Sequence, residues 1–179
     1  MDKEEFKVLV KGMKAVYSQP TFIPDQDAFN VWYSLINDLT YEVCNVAIQK
    51  YMLSNKYPPT IADIRELATT VRFGELPNWS ESWENVIRAI RRYGSYNEAE
   101  ALNSLDDLTR QAVIRLGFRN LCMSENIAVE RANFRMIYEQ LAERLKDKQN
   151  TPLQLQQTID LLLESNRMML EGGNNGKLL

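Results

Sequence analysis

The sequence predicts an all-α protein, and three features of the 179-residue chain lead to that fold class. Apolar residues recur throughout at spacings of three and four, which is the period of an amphipathic helix. The alternation of apolar and polar residues that is typical of half-buried strands is absent. Only 7 glycines and 6 prolines interrupt the chain, so the helices can be assigned one by one.

The first three helices are predicted from apolar stripes that follow a capping residue or stop at a proline. Residues 2–17 place apolar side chains on one face, and Pro20 lies beyond the end of that helix. Asp25 offers an N-cap for the second helix, and Thr40 offers one for the third. The second helix carries the aromatic pair Trp32-Tyr33, of which Trp32 is expected to lie in the core.

The fourth helix is predicted from the sharpest local signal, the string Lys56-Tyr57-Pro58-Pro59-Thr60-Ile61-Ala62-Asp63-Ile64-Arg65. The two prolines stop the preceding helix. Thr60 is an N-cap with Asp63 three residues later, a variant of the capping box, and Gly74 is a natural C-terminal stop. Residues 1–74 are therefore predicted to form a compact four-helix bundle.

A second helical domain is predicted over residues 80–149, after a short linker at residues 75–79. Gly94 and Gly117 each end a helix in this region. A long helix with one apolar side is predicted over residues 126–148.

The last predicted helix, within residues 150–171, is amphipathic and opens with a Thr-Pro pair that suits a helix start. Its apolar residues spread beyond one narrow stripe. Such a helix either packs into a deep core or docks into a groove of a partner, and both interpretations remain open. A partner would be expected to contact Leu155, Ile159, Leu162, Met168 and Met169. Residues 172–179 are expected to form a flexible tail.

Composition argues against an enzyme. The chain has no histidine, which excludes Ser-His-Asp triads, Cys-His pairs and HExxH zinc sites. The string Gly173-Asn174-Asn175-Gly176-Lys177 has the wrong spacing for a phosphate-binding loop. Cys44 and Cys122 are far apart and typical of free thiols in a reducing compartment. We expect no catalytic residue, no metal site and no cofactor.

Charge and hydropathy favour a cytoplasmic protein that binds other macromolecules. The formal charge is −3, with no basic arm, the first residues are unlike a signal peptide, and the apolar runs are too short to span a membrane. Arg88, Arg91 and Arg92 nevertheless share one helix face, where they could contact nucleic acid or an acidic partner. A solvated helix face is the alternative interpretation.

Several motifs between residues 6 and 68 are recognisable together: Trp32-Tyr33, Leu39-Thr40-Tyr41, Ala47-Ile48, Tyr51-Met52 and, above all, the string from Lys56 to Arg65. With these motifs, the segment resembles the N-terminal domain of the replicative helicase loader/inhibitor family of phages of Gram-positive bacteria. The motif residues expected to be structural are Pro58, Pro59, Thr60, Asp63 and Arg65. A looser resemblance to longer phage relatives rests on Arg92-Tyr93-Gly94, Glu100-Ala101-Leu102 and the residues from Gly117 to Cys122.

The resemblance implies a non-catalytic role in phage DNA replication. Proteins of this family bind a DnaB-type hexameric helicase, hold it inactive and deliver it to the initiator bound at the origin. The implied partners are the helicase and the phage origin-binding initiator, in the cytoplasm of an infected bacterium, with DNA secondary. In short relatives the part after the N-terminal domain is flexible, whereas residues 80–149 here have strong helical patterning.

The main alternative is a DNA-binding replication or regulatory protein that uses the arginine-rich helix face. The formal charge of −3 argues against this alternative, although a local patch can override a net charge.

Overall fold

The computed structural model describes the backbone of residues 1–172 and the side chains of residues 1–169. Within that range the chain forms ten α-helices and no strand, so the predicted all-α class is confirmed. The predicted flexible tail lies, from residue 173 onward, outside the described residues. The helices are α1 (Lys3–Val16), α2 (Gln26–Ile36), α3 (Tyr41–Ser54), α4 (Ile61–Phe73), α5 (Trp79–Tyr93), α6 (Glu98–Asn103), α7 (Asp107–Leu116), α8 (Phe118–Met123), α9 (Ile127–Asn150) and α10 (Leu153–Gly172).

Local capping explains where the helices of the N-terminal half begin. The Asp25 carboxylate accepts a 2.8 Å hydrogen bond from the Ala28 amide at the start of α2. At the start of α4, the Asp63 amide donates to the Thr60 hydroxyl at 3.2 Å, and the Thr60 amide donates to the Asp63 carboxylate at 2.7 Å. Both halves of a capping box are thus present, which satisfies two amides that would otherwise lack partners.

The described chain divides into two compact units, of which unit 1 comprises residues 1–74 and 148–172 and unit 2 comprises residues 75–147. The core of unit 1 is built from α1 to α4, with Phe6 and Ile64 fully buried. Phe6 contacts the ring of Phe29 at a centroid distance of 4.9 Å. Trp32 is half-buried against this core, where its ring meets Phe22 edge-on at 5.6 Å.

Unit 2 packs α5 to α8 and most of α9 around an apolar core that contains an aromatic cluster. The rings of Trp83 and Phe134 lie 5.3 Å apart, which joins α5 to α9. The Tyr138 hydroxyl reaches past this pair and donates to the Pro77 carbonyl at 2.8 Å. Burial of apolar surface, to which these large rings contribute, is the dominant favourable contribution to the stability of such a unit.

Candidate functional site

The C-terminal helix α10 exposes its apolar side chains. Every side chain described between residues 153 and 169 is exposed except Gln156, which is half-buried. Contiguous exposed apolar surface is typical of a site that binds a partner. The large apolar residues of α10 that are exposed by 42% to 74% are Leu153, Leu155, Ile159, Leu161, Leu162, Leu163, Met168 and Met169.

The five residues predicted to bind a partner fall on two sides of α10. Successive residues of a helix are about 100° apart, since a turn holds about 3.6 residues. Leu155, Ile159, Leu162 and Met169 therefore form one stripe, which we call the α10 stripe. Met168 lies on another side of the helix. Its apolar neighbour on that side is Leu161, which precedes it by seven residues, or about two turns. Of the two interpretations left open by the sequence, burial in a core of this chain is not what the described structure shows.

The first turn of α10 is held against α4 and the turn after α2. The backbone amide of Leu153 donates to the carboxylate of Asp38, which lies just after α2. The Thr69 hydroxyl donates to the Asn150 side-chain oxygen at 2.6 Å, and the Gln156 amide group donates to the Thr151 carbonyl at 2.7 Å. The chain around the start of α10 is thus fixed by side chains of α4 and of the turn after α2.

Arg65 is the centre of this anchor. Its side chain is only 6% exposed and its guanidinium donates to both carboxylate oxygens of Asp38, at 2.8 Å and 3.0 Å. It also donates to the Leu35 carbonyl at 2.7 Å and to the Asn150 carbonyl. A buried charge is tolerated when it is paired and its donors are satisfied, as they are here. We call Leu35, Asp38, Arg65, Thr69 and Asn150 the Arg65 cluster.

The electrostatics of the Arg65 cluster favour the charged form of Asp38. Burial alone would raise the pKa of this carboxyl, but the hydrogen bonds and positive charge of Arg65, together with the Leu153 amide, outweigh burial. The pKa of Asp38 is therefore lowered from its ordinary value of 3.8. The carboxylate stays ionised at neutral pH and can hold both the arginine and the start of α10.

The other motif residues of the N-terminal segment lie at the start of α4. Thr60 and Asp63 form the capping box, and Pro59 is buried while Pro58 is half-buried. Tyr57 next to them is 72% exposed. In this structure the motif forms the start of α4 and places Arg65, about one turn later, in the Arg65 cluster.

The structure brings Arg88 and Arg91 together with an arginine from another helix. Both side chains line a groove of about 430 Å³ in unit 2, and Arg131 of α9 lines its other side. Arg92 instead lines a neighbouring pocket of about 260 Å³ that Arg88 also borders, and its guanidinium lies 5.3 Å from the ring centre of Tyr93. We call the first of these the arginine groove; its lining residues are Trp83, Glu84, Ile87, Arg88, Arg91 and Arg131.

Sequence reasoning missed Arg131, Asp38 and Asn150. Arg131 lies 40 residues beyond Arg91, and only the packing of Trp83 on Phe134 places the two helices side by side. For Asp38 a signal did exist, because an arginine on the buried side of α4 needs a carboxylate partner. No pattern in the sequence showed which carboxylate that would be.

The described residues include two free thiols, of which Cys44 is buried and Cys122 is half-buried. Among residues 1–172, no three His, Cys, Asp or Glu side chains come together as a metal site would require. Burial, and to a smaller extent the charge of Asp38, raises the pKa of the Cys44 thiol to about 11. Cys44 is therefore a neutral, buried thiol at physiological pH. In the same part of the chain, none of the helices has both the length and the apolar character of a membrane span.

Comparison with known families identifies the N-terminal segment. Residues 1–65 match the family model for the N-terminal domain of the gp39P family, which comprises phage helicase loader/inhibitor proteins. The matched segment runs from α1 into α4 and ends at Arg65. No curated protein and no solved structure gives a significant match to the chain. Both α10 and the arginine groove lie outside the matched residues.

Proposed function

Starting from an N-terminal segment of the phage helicase loader/inhibitor family, we propose that this protein binds a DnaB-type hexameric replicative helicase. In this proposal the bound helicase is held inactive and is then delivered to the initiator at the phage origin. The observation that carries the proposal is the match of residues 1–65 to the family. The exposed α10 stripe supports it independently, since a helix with an apolar face suits a groove on a partner.

The mechanism we propose needs no chemistry in this chain. A ligand shifts a conformational equilibrium only by binding one state more tightly than the others. The α10 stripe would dock on one conformation of the helicase ring and so raise the population of an inactive or opened ring. Moving such an equilibrium from 1:99 to 99:1 takes about a 10⁴-fold difference in affinity. Release then requires a competitor that favours the other state, such as the initiator or DNA.

The Arg65 cluster gives this mechanism a rigid starting point. The Leu153 amide and the Asn150 carbonyl are both held by buried charged groups of the bundle. Holding the first turn of α10 lowers the entropy that is lost when the helix docks, because fewer orientations have to be given up. The family-matched segment, residues 1–65, and the start of α10 would thus move together when the helicase binds.

The test is size-exclusion chromatography with light scattering, in which the full chain is mixed with the purified host replicative helicase and ATP. A co-eluting complex is expected for the wild type. The variant Leu155→Gln/Ile159→Gln/Leu162→Gln, which makes the α10 stripe polar, should elute separately from the helicase. These side chains are exposed, so the variant should keep its fold, and circular dichroism checks that it does.

A matched control separates the stripe from general surface hydrophobicity. Leu53, Ile114 and Met136 are 56% to 87% exposed and lie on three other helices. Their triple substitution by glutamine should leave the complex intact. If the wild type and helicase elute separately with and without nucleotide, the helicase proposal fails. If the wild type binds but leaves helicase ATPase activity and DNA binding unchanged at saturation, the inhibition mechanism fails.

DNA binding through the arginine face is the less favoured function. Residues 75–147 contain twelve acidic and ten basic residues, so unit 2 as a whole does not attract a polyanion. A true DNA binder would lose affinity steeply with rising salt, whereas a protein complex held by apolar contacts would not. The salt dependence of binding therefore separates the two functions.

A further inference from the structure

The arginine groove is lined by three arginines that form no ion pair with a carboxylate of the described chain. Within residues 1–172, Arg110 pairs with Asp107 and Arg135 pairs with Glu139, but Arg88, Arg91 and Arg131 form no ion pair. Glu84 precedes Arg88 by four residues, a spacing that favours an ion pair on a helix, and yet the two do not pair.

The arrangement places more positive than negative charge in the groove, with three arginines and one glutamate among the lining residues. Arg88 and Arg91 are three residues apart on α5, and like charges at that spacing repel each other. Arg131 adds a third positive charge on the opposite side of the same groove. An anionic ligand in the groove would remove this repulsion, so the arrangement indicates a binding site.

The type of cation indicates the type of anion. Of the ten basic residues in unit 2, nine are arginines, whereas six of the eight basic residues between 1 and 74 are lysines. The planar guanidinium of arginine bonds a carboxylate or phosphate with two parallel hydrogen bonds, which the ammonium group of lysine cannot do. The groove therefore suits bidentate hydrogen bonding to a carboxylate or phosphate group.

Two observations favour a peptide over a nucleic acid. Proteins that bind single-stranded nucleic acid stack its bases on exposed aromatic faces. Trp83 in the groove is buried and offers no such face. The guanidinium groups of Arg131 and Arg135 lie 5.3 Å and 5.0 Å from the ring centre of Trp79, so this ring already has contacts with arginine. The lining of the groove also includes Glu84 and the apolar side chain of Ile87. A continuous chain of phosphates would meet the repulsion of Glu84, whereas a peptide can place an apolar side chain there and carboxylates at the arginines.

We propose that the arginine groove binds an acidic peptide segment of a partner protein. Arg88, Arg91 and Arg131 pair with its carboxylates, and an apolar side chain of the peptide packs on Ile87. This site is distinct from the α10 stripe, which carries the helicase proposal. Binding of a peptide in the arginine groove can therefore be tested without the helicase, and its outcome does not depend on the helicase proposal.

The test is fluorescence anisotropy of the full chain with a labelled peptide of six glutamates around a central leucine. Competing probes are the same peptide with glutamines in place of the glutamates and labelled single- and double-stranded oligonucleotides. We expect the glutamate peptide to bind and the glutamine peptide not to bind. The variant Arg88→Gln/Arg91→Gln/Arg131→Gln should weaken peptide binding by about tenfold or more, because charge-assisted hydrogen bonds are lost.

Two further variants make the result specific to the groove. Arg115→Gln/Arg119→Gln/Arg144→Gln removes the same charge from exposed positions of unit 2 outside the groove and should leave the affinity within about twofold, since such charges act only at long range. Glu84→Gln removes the acid group of the groove and should tighten peptide binding.

Three results would overturn the proposal. In the first, the glutamate peptide does not bind the wild type. In the second, the control triple variant loses as much affinity as the groove variant. In the third, an oligonucleotide binds more tightly than the peptide, its affinity falls steeply with rising salt, and the groove variant no longer binds it. Nucleic acid is then the ligand of the groove.

Discussion

Replacing Arg65 by methionine is the sharpest test of the contacts that the Arg65 cluster makes between α4, Asp38 and the start of α10. The substitution keeps an unbranched apolar chain in place of the arginine stem but removes every hydrogen bond of the guanidinium. Asp38, 8% exposed in its side chain, is left as a buried carboxylate without its charged partner. The Leu35 and Asn150 carbonyls lose a donor as well.

The expected loss of stability is large. Removing one partner of a buried ion pair costs about 3–5 kcal/mol, because the other charge remains buried without compensation. A domain has about 5–15 kcal/mol of stability in total, so a considerable part of the stability of unit 1 depends on this residue. The assay is urea denaturation followed by circular dichroism. Arg72→Met at the exposed end of α4 is the matched control, and it should change the free energy of unfolding by less than about 0.5 kcal/mol.

A second substitution tests whether the effect comes from the pair. In the variant Arg65→Met/Asp38→Leu no buried charge remains, so it should be more stable than Arg65→Met alone. Hydrogen exchange of the Leu153 amide should be faster in both variants, since the bond from this amide to Asp38 is weakened or absent. An Arg65→Met protein within about 1 kcal/mol of the wild type would refute the reasoning, because it would mean that Asp38 is not held by Arg65.

Three further predictions concern pH, capping and glycine geometry. Because the pKa of Asp38 is lowered on folding, its stabilisation is complete above pH 3.8 and is lost as the pH falls through the lower folded value; the difference in unfolding free energy between wild type and Asp38→Asn should therefore shrink over that acid range, and a constant difference would contradict it. Thr60→Ala should cost about 1 kcal/mol in urea denaturation, because the capping bond to the Asp63 amide is lost. Gly117→Ala should lower the melting temperature, since φ is +84° there and a Cβ would lie 2.9 Å from the Asn120 side chain, whereas Gly12→Ala in the open middle of α1 should raise it. Equal effects of the two glycine substitutions would refute the geometric argument.

The sequence by itself determined the helices, because their signals are local. A capping box such as Thr60 with Asp63 involves atoms three residues apart, and an apolar stripe repeats within one or two turns. The family of residues 1–65 was also recognisable from the sequence, since its motifs lie in one continuous segment. The choice of partner residues for α10, Leu155 and Met168 among them, stays a prediction.

Only the tertiary structure decided which side chains meet. Arg65 bonds to Asp38, 27 residues away in sequence, and to Asn150, 85 residues away. Neither pairing can be predicted from a local sequence pattern. The sequence predicts a shared face for Arg88, Arg91 and Arg92, but it could not predict that the packing of α5 against α9 adds Arg131 to the groove of Arg88 and Arg91 while Arg88 and Arg92 also line a second pocket. Helix formation depends on neighbours in the chain, while ion pairs and grooves depend on how buried faces pack, and that is why the first could be predicted and the second could not.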